Sequence, residues 1–85
     1  MKIDIYFLIS HWPKKLREDK IYIVKNIGER SIWYGIDKFG DFDSFQVEAP
    51  GTIFAVPQRD YRMISEINNI RDDIKLITLE EVNMS

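Results

Sequence analysis

The chain has 85 residues and no cysteine, which suffices for one small domain and excludes a disulfide framework, a thiolate nucleophile and a thiolate metal site. Its composition, 45% hydrophobic and 13% aromatic, is typical of a folded globular protein rather than a disordered tail. A net charge of −2 argues against both a strongly basic nucleic-acid coat protein and an acidic DNA mimic.

The N-terminal apolar run is too short for a secretory leader or a membrane span. Asp4 interrupts its start, and Ser10 and His11 follow it closely. A leader needs roughly 7–15 apolar residues and a spanning helix needs about 18. We therefore predict a soluble, cytoplasmic protein that does not contact a membrane, and the absence of cysteine agrees with a reducing compartment.

Residues 2–10, KIDIYFLIS, alternate between apolar and polar side chains and predict a half-buried first strand. Trp12 and Pro13 end this strand, because proline has no N–H to donate to a neighbouring strand. The polar residues 13–19 then predict a loop or a single helical turn.

Residues 20–27, KIYIVKNI, predict a second strand, and its unbroken apolar stretch favours a central position in the sheet. A turn at 26–29 leads to a third strand at 30–37, which we expect to pair with the second strand as a hairpin. Trp33 lies on the polar face of that third strand, among small and polar neighbours.

The following segment, 38–44, predicts a turn around its glycine, and 45–49 predicts a fourth short strand. Pro50 and Gly51 form a turn dipeptide. Residues 52–56, TIFAV, predict a fifth strand.

The period then changes to that of a helix. Residues 60–72 predict one amphipathic helix with Asp60 as its N-cap, and Asp72 and Asp73 oppose its continuation. Residues 75–79 predict a final strand, followed by a polar tail at 80–85 that we expect to fray. The apolar stripe of the helix, which we expect to face the core, consists of Met63, Ile67, Ile70 and Ile74, and Tyr61 and Ile64 widen it.

Together these elements predict an α+β fold in one domain over residues 1–85. A curved, mostly antiparallel sheet of five or six strands, shaped like a small open barrel, carries one C-terminal amphipathic helix packed on it. The first strand would lie at an edge of the sheet, where pairing with a second copy of the chain would form a dimer.

The segment HWPKKLREDK, residues 11–20, combines aromatic and basic side chains, and Trp33 lies near it in the sequence. Tryptophan and arginine are frequent anchors of protein interfaces. In a structural alternative, Trp12 folds back over the edge of the core and the lysines are solvated. The functional interpretation predicts a partner-binding surface made of His11, Trp12, Lys14, Lys15, Arg17, Lys20 and Trp33.

Few residues are equipped for catalysis or metal binding. His11 is the only histidine, and Ser10 beside it would point to the opposite face of a strand, so the two do not make a nucleophile and its base. Asp37, Asp41 and Asp43 lack the spacing of an EF-hand loop and are typical of a turn. We expect no catalytic residue, no metal and no cofactor.

By elimination, the sequence predicts a small non-enzymatic regulatory protein that binds and inhibits or modulates another macromolecule by steric occlusion. An inhibitor or antitoxin-like factor acting on a host or partner protein is the first interpretation, and the composition suits an AT-rich phage or bacterial genome. The alternative is an RNA or single-stranded nucleic-acid binder that uses the same basic and aromatic face. A small enzyme or a metal-binding protein ranks below both.

Overall fold

A computed structural model describes residues 3–37, 42–70 and 73–84 of the chain. The fold is α+β, with antiparallel strand pairs throughout the described sheets. The elements in chain order are α1 (Ile5–Ile9), a 3-10 helix (Lys14–Arg17), β1 (Lys20–Asn26), β2 (Ile32–Asp37), β3 (Phe42–Glu48), β4 (Ile53–Pro57), α2 (Gln58–Ile70) and β5 (Leu76–Asn83).

The strands form two sheets rather than the single five- or six-stranded barrel-like sheet that the sequence predicted. One sheet has three strands in the order β4–β1–β5, and the other consists of β2 paired with β3. The central position of β1 is confirmed, but its predicted hairpin with β2 is wrong. Ile21, Ile23 and Val24 are all buried, as expected of a central strand, and both of the strands that pair with β1 come from later in the chain.

The predicted first strand is a short helix, α1. Asp4 caps it, because its Oδ1 accepts a hydrogen bond from the Phe7 backbone N at 3.3 Å. Ile5, Leu8 and Ile9 follow the helical spacing i, i+3, i+4 and turn towards the core, and Phe7 is exposed. The edge strand through which we expected a dimer is therefore replaced by a helix over Ile5–Ile9.

The amphipathic helix α2 runs over 58–70 rather than 60–72, and it lies between β4 and β5 instead of at the C-terminus. Asp60 is in its first turn and is not its N-cap. The ring of Tyr61 stacks on Tyr22 of β1, with centroids 3.7 Å apart, and its hydroxyl is hydrogen-bonded to Thr78 Oγ1 of β5 at 2.5 Å. These contacts hold α2 across the three-stranded sheet.

The apolar face of α2 differs from the predicted stripe at Met63. Ile64 is buried, whereas Met63 is exposed. Ile74, which lies after the helix, packs against the core, and the side chains of Ile67 and Ile70 lie outside the described part of the chain.

The turns and the last strand also differ in part from their predictions. The predicted turn at 38–44 overlaps residues 38–41, which lie outside the described ranges, and residues 42–44 belong to β3. The turn at Pro50 and Gly51 is present, with Gly51 at φ 89°, a conformation that favours glycine. β5 continues to Asn83 instead of ending at Leu79, because the whole segment pairs with β1.

A buried carboxamide joins the two sheets. Asn26, at the end of β1, is fully buried, and its Nδ2 donates to the carbonyl oxygens of Arg30 and Glu48, both at 2.8 Å. Its Oδ1 accepts from the Gly28 backbone N at 3.0 Å, and its own backbone oxygen accepts from the Gly51 N at 2.8 Å. The end of β1 is thereby tied to the loop before β2, to the end of β3 and to the turn before β4.

Candidate functional site

The structure buries one of the two tryptophans that we predicted to contact a partner. Trp12 is 4% exposed and belongs to the same core cluster as Ile9 and Leu16. Its backbone N donates to the Ile9 carbonyl at 3.0 Å, so the chain keeps turning after α1. The ring of His11 meets that of Trp12 edge-on, at 6.5 Å between centroids, and His11 is exposed. The prediction of an exposed Trp12 is wrong, and the structural alternative holds for this residue.

The predicted lysines lie on the surface, and two of them are close to carboxylates. Lys14 Nζ is 4.0 Å from Glu18, and Lys20 Nζ is 2.7 Å from Glu81 Oε1 on β5. The hydrogen bond and the charge of Glu81 raise the pKa of Lys20 above its ordinary value. Lys15 is exposed. The positive charge of this turn is therefore partly compensated by neighbouring acidic groups.

Trp33 does not lie next to the basic turn formed by residues 14–20. Lys20 and Asn26 mark the two ends of β1, and Asn26 is paired with Leu76, which lines the same cleft as Trp33. A seven-residue strand spans about 20 Å from end to end. Arg17 lies near the Lys20 end of β1 and is half-buried. Its Nε is buried and has no hydrogen-bond acceptor among the described residues. The predicted surface is thus divided between two ends of the sheet.

Around Trp33 the structure shows a cleft of about 500 Å³, which we call the Trp33 cleft. Ile32, Ile64 and Leu76 are buried side chains along it, from β2, α2 and β5. Trp33 itself is 71% exposed. The cleft is lined by Arg30, Ser31, Ile32, Trp33, Ile64, Ile74 and Leu76.

Polar groups mark the rim of the Trp33 cleft. The Nε of Arg30 lies 3.0 Å from Asp73 Oδ2, which ties the loop before β2 to the segment before β5. Both side chains keep substantial contact with solvent. An apolar interior with a charged pair at its rim is the pattern of a site that takes an apolar side chain and orients it by polar contacts at the edge.

The exposed apolar surface extends from the cleft onto the hairpin. Trp33 of β2 pairs directly with Val47 of β3, so their side chains share one face, and Val47 is also exposed. The next pair, Ile32 with Glu48, lies on the opposite face, where Ile32 is buried. This alternation separates an inner face, which packs on the core, from an outer face with a tryptophan.

Sequence reasoning found Trp33 but missed the rest of this site. The alternation of residues 30–37 already placed Trp33 on a polar face, which is the signal for its exposure. The other walls come from α2 and from the start of β5, far along the chain, and Ile64 and Leu76 carry no local mark of a shared cleft. The shared cleft becomes apparent only when the packing of α2 and the strands is known.

Among the described residues we find neither a candidate metal site nor a candidate membrane-spanning helix. The described residues contain no group of three or more histidine or acidic side chains placed to hold a metal ion. The side chains of Asp37, Asp41 and Asp43 lie outside the described part. Within the described ranges, no helix combines the length and the apolar character that crossing a membrane requires.

Comparison with known proteins gives no relative. No protein-family model, no curated protein and no solved structure matches this chain. We therefore infer function from the geometry of the chain.

Proposed function

We propose that this chain is a small regulatory protein without catalytic activity, which binds another protein through the Trp33 cleft and occludes part of that protein's surface. The observation that carries the proposal is a tryptophan 71% exposed at the edge of an apolar cleft of about 500 Å³. Tryptophan is the residue most enriched among those that dominate binding energy. An inhibitor or antitoxin-like factor is the class of protein that acts in this way.

Two features of the surface support a protein as the partner. The indole of Trp33 and the neighbouring Val47 offer rigid apolar area that costs little conformational entropy on binding. The cleft beside them is lined by isoleucine and leucine side chains, which suits an apolar side chain of the partner. The charged pair of Arg30 and Asp73 at the rim would then set the orientation of the complex.

A nucleic-acid partner has less support. Binding to single strands needs cations that follow the phosphates, together with rings on which bases stack. Here Trp12 is buried, and five basic residues each lie within 4.0 Å of a carboxylate. Trp33 lies at the end of β1 opposite the basic turn. The basic residues 14–20 are therefore not combined with the exposed ring of Trp33.

Capture with matched variants tests the proposal. Wild-type protein, Trp33→Ala and Tyr6→Ala are immobilised and exposed to lysate of the cells that encode the chain, with and without nuclease. Bound proteins are then quantified by mass spectrometry. Tyr6 is the matched control, because its ring is 69% exposed on α1 and does not line the Trp33 cleft.

We expect to capture one protein whose amount is unchanged by nuclease and is the same with Tyr6→Ala as with wild type. With Trp33→Ala the captured amount should fall at least about tenfold, as loss of about 1.4 kcal/mol of binding free energy would produce. Binding of that purified protein to each variant then gives the dissociation constants. If no captured protein depends on Trp33, or if capture disappears on nuclease treatment, the proposal is wrong.

A further inference from the structure

A second cleft, of about 330 Å³, lies between the N-terminal helix and the edge of the three-stranded sheet. We call it the Glu48 cleft, after the acidic residue that lines it. Its apolar wall includes Phe7 and Leu8 of α1, Trp12, and Ile53 and Phe54 of β4. Trp12 and Phe54 are buried, whereas Phe7 is 76% exposed. The cleft thus has an apolar interior and an aromatic ring at its mouth.

Glu48 is an acidic residue in an otherwise mostly apolar wall. Its backbone is fixed, because its carbonyl oxygen accepts the hydrogen bond from Asn26 Nδ2. It pairs with the buried Ile32, so it lies on the inner face of the hairpin, and its side chain is half-buried. Burial raises the pKa of its carboxyl group above the ordinary value, and no charged neighbour contributes to that shift.

No ion pair within the described ranges involves the carboxylate of Glu48. A partly desolvated carboxylate without a cation is unfavourable, and a cation brought from outside would offset that cost. The apolar wall adds a second requirement, because it favours a cation carried on an aliphatic stem. The aromatic ring at the mouth adds a third, since a planar guanidinium stacks on aromatic faces and is more weakly hydrated than an ammonium group.

We propose that the Glu48 cleft binds an arginine side chain of a partner polypeptide, with the guanidinium group on the Glu48 carboxylate and the methylene groups against Phe7, Leu8 and Ile53. The proposal goes beyond the Trp33 cleft, because it assigns a second site with a different ligand chemistry. His11 also lines the Glu48 cleft. Binding is measured at one fixed pH, so the protonation of His11 is the same in the titrations with both peptides.

The test uses defined peptides and isotope-labelled full-length protein, followed by NMR chemical shifts. The probe is acetyl-Gly-Arg-Gly-amide, and the control peptide has norleucine in place of arginine, which keeps the aliphatic stem and removes the charge. The matched protein variants are Glu48→Gln, which keeps the shape of the side chain, and Glu29→Gln, which removes an exposed carboxylate from a turn.

We expect the arginine peptide to shift the amide signals of Leu8, Glu48 and Ile53 in a saturable manner, with a dissociation constant of about 1 mM. Glu48→Gln should weaken this binding at least about tenfold, and Glu29→Gln should leave it unchanged. The proposal is overturned if the norleucine peptide binds equally well, if Glu48→Gln binds like wild type, or if the shifts do not saturate. Each of these results leaves the Trp33 cleft and its own test unaffected.

Discussion

At Asn26, one side chain makes three hydrogen bonds to backbone groups of the loop before β2 and of the end of β3. A carboxamide can do this because it has two donor hydrogens and an acceptor oxygen on one rigid group. The residue is fully buried, so water cannot replace a lost bond without a rearrangement. Asn26 therefore couples the two sheets more directly than any apolar contact could.

Asn26→Ala is expected to lower the free energy of unfolding by about 2–4 kcal/mol, because it leaves two carbonyl groups and one N–H without a partner. Urea denaturation gives this value by linear extrapolation. Gln58→Ala, which alters an exposed amide at the start of α2, is the control and should change stability by less than about 0.5 kcal/mol. Equal effects of the two variants would show that the joint at Asn26 is not formed.

Glu48 makes stability depend on pH in a predictable direction. Burial raises its pKa in the folded protein above that in the unfolded chain. Between these two pKa values the folded state binds more protons, so stability falls as pH rises through this interval. The contribution is most favourable below the pKa of the unfolded chain, about 4.3, and is lost as pH rises past the folded pKa.

Glu48→Gln should remove this penalty. Its melting temperature relative to wild type is expected to rise with pH from about 4 and to reach a plateau at neutral pH. Taking the difference between the two proteins cancels the titration of every group that they share. A difference that stays constant over this range, or that falls as pH rises, would contradict the burial of the carboxyl group. Glu29→Gln, at an exposed position, serves as the control.

The short apolar segment that forms α1 fits both the alternation of a strand and the spacing of a helix. A strand would place Ile3, Ile5, Phe7 and Ile9 on one face, and a helix places Ile5, Leu8 and Ile9 there. The two patterns differ at Phe7, which is inward in a strand and 76% exposed in the structure. The capping position of Asp4 is a second local signal in favour of the helix, beside the spacing of its apolar residues.

Phe7→Ala distinguishes the two arrangements. In the helix it removes an exposed ring and should change the free energy of unfolding by less than about 0.5 kcal/mol, whereas an inward phenylalanine would cost about 3–5 kcal/mol. Ile9→Ala is the positive control, since Ile9 is 1% exposed and should cost about 2–4 kcal/mol. Chemical denaturation of both variants decides between the arrangements.

The strands show where sequence reasoning succeeds and where it ends. Local patterns predicted β1, β2 and α2 within a few residues, because alternation and helical spacing are local properties. They did not predict that β1 pairs with β4 and β5, since pairing depends on which distant segments reach its two edges. Strand 20–27 was recognised as central, but its sequence neighbour was the wrong choice of partner.

At the scale of the whole molecule, the position of the sites follows from this pairing. The Trp33 cleft forms where β2, α2 and the start of β5 meet, and the Glu48 cleft forms where α1 meets β4 and the end of β3. Neither set of residues is contiguous in sequence. The sequence pointed to Trp33 in the first site and to His11 and Trp12 in the second. Aromatic and titratable residues can be recognised as candidates before the fold is known.

The two tryptophans have opposite roles in this account, and their environments can be measured separately. Trp12 completes the core, whereas Trp33 is the exposed anchor of the proposed docking surface. The conservative variant Trp33→Phe removes the exposed indole and leaves Trp12 as the only tryptophan. Because position 33 is exposed, this variant is expected to fold like wild type.

Tryptophan fluorescence with acrylamide quenching, on wild type and on Trp33→Phe, tests the central claim most directly. Wild type is expected to have a red-shifted component that acrylamide quenches readily. In Trp33→Phe this component should be absent, leaving a blue-shifted emission that resists quenching. If the quenchable component persists in Trp33→Phe, Trp12 is exposed and is not part of the core. If wild type lacks this component, Trp33 is buried and the proposed docking surface has no anchor.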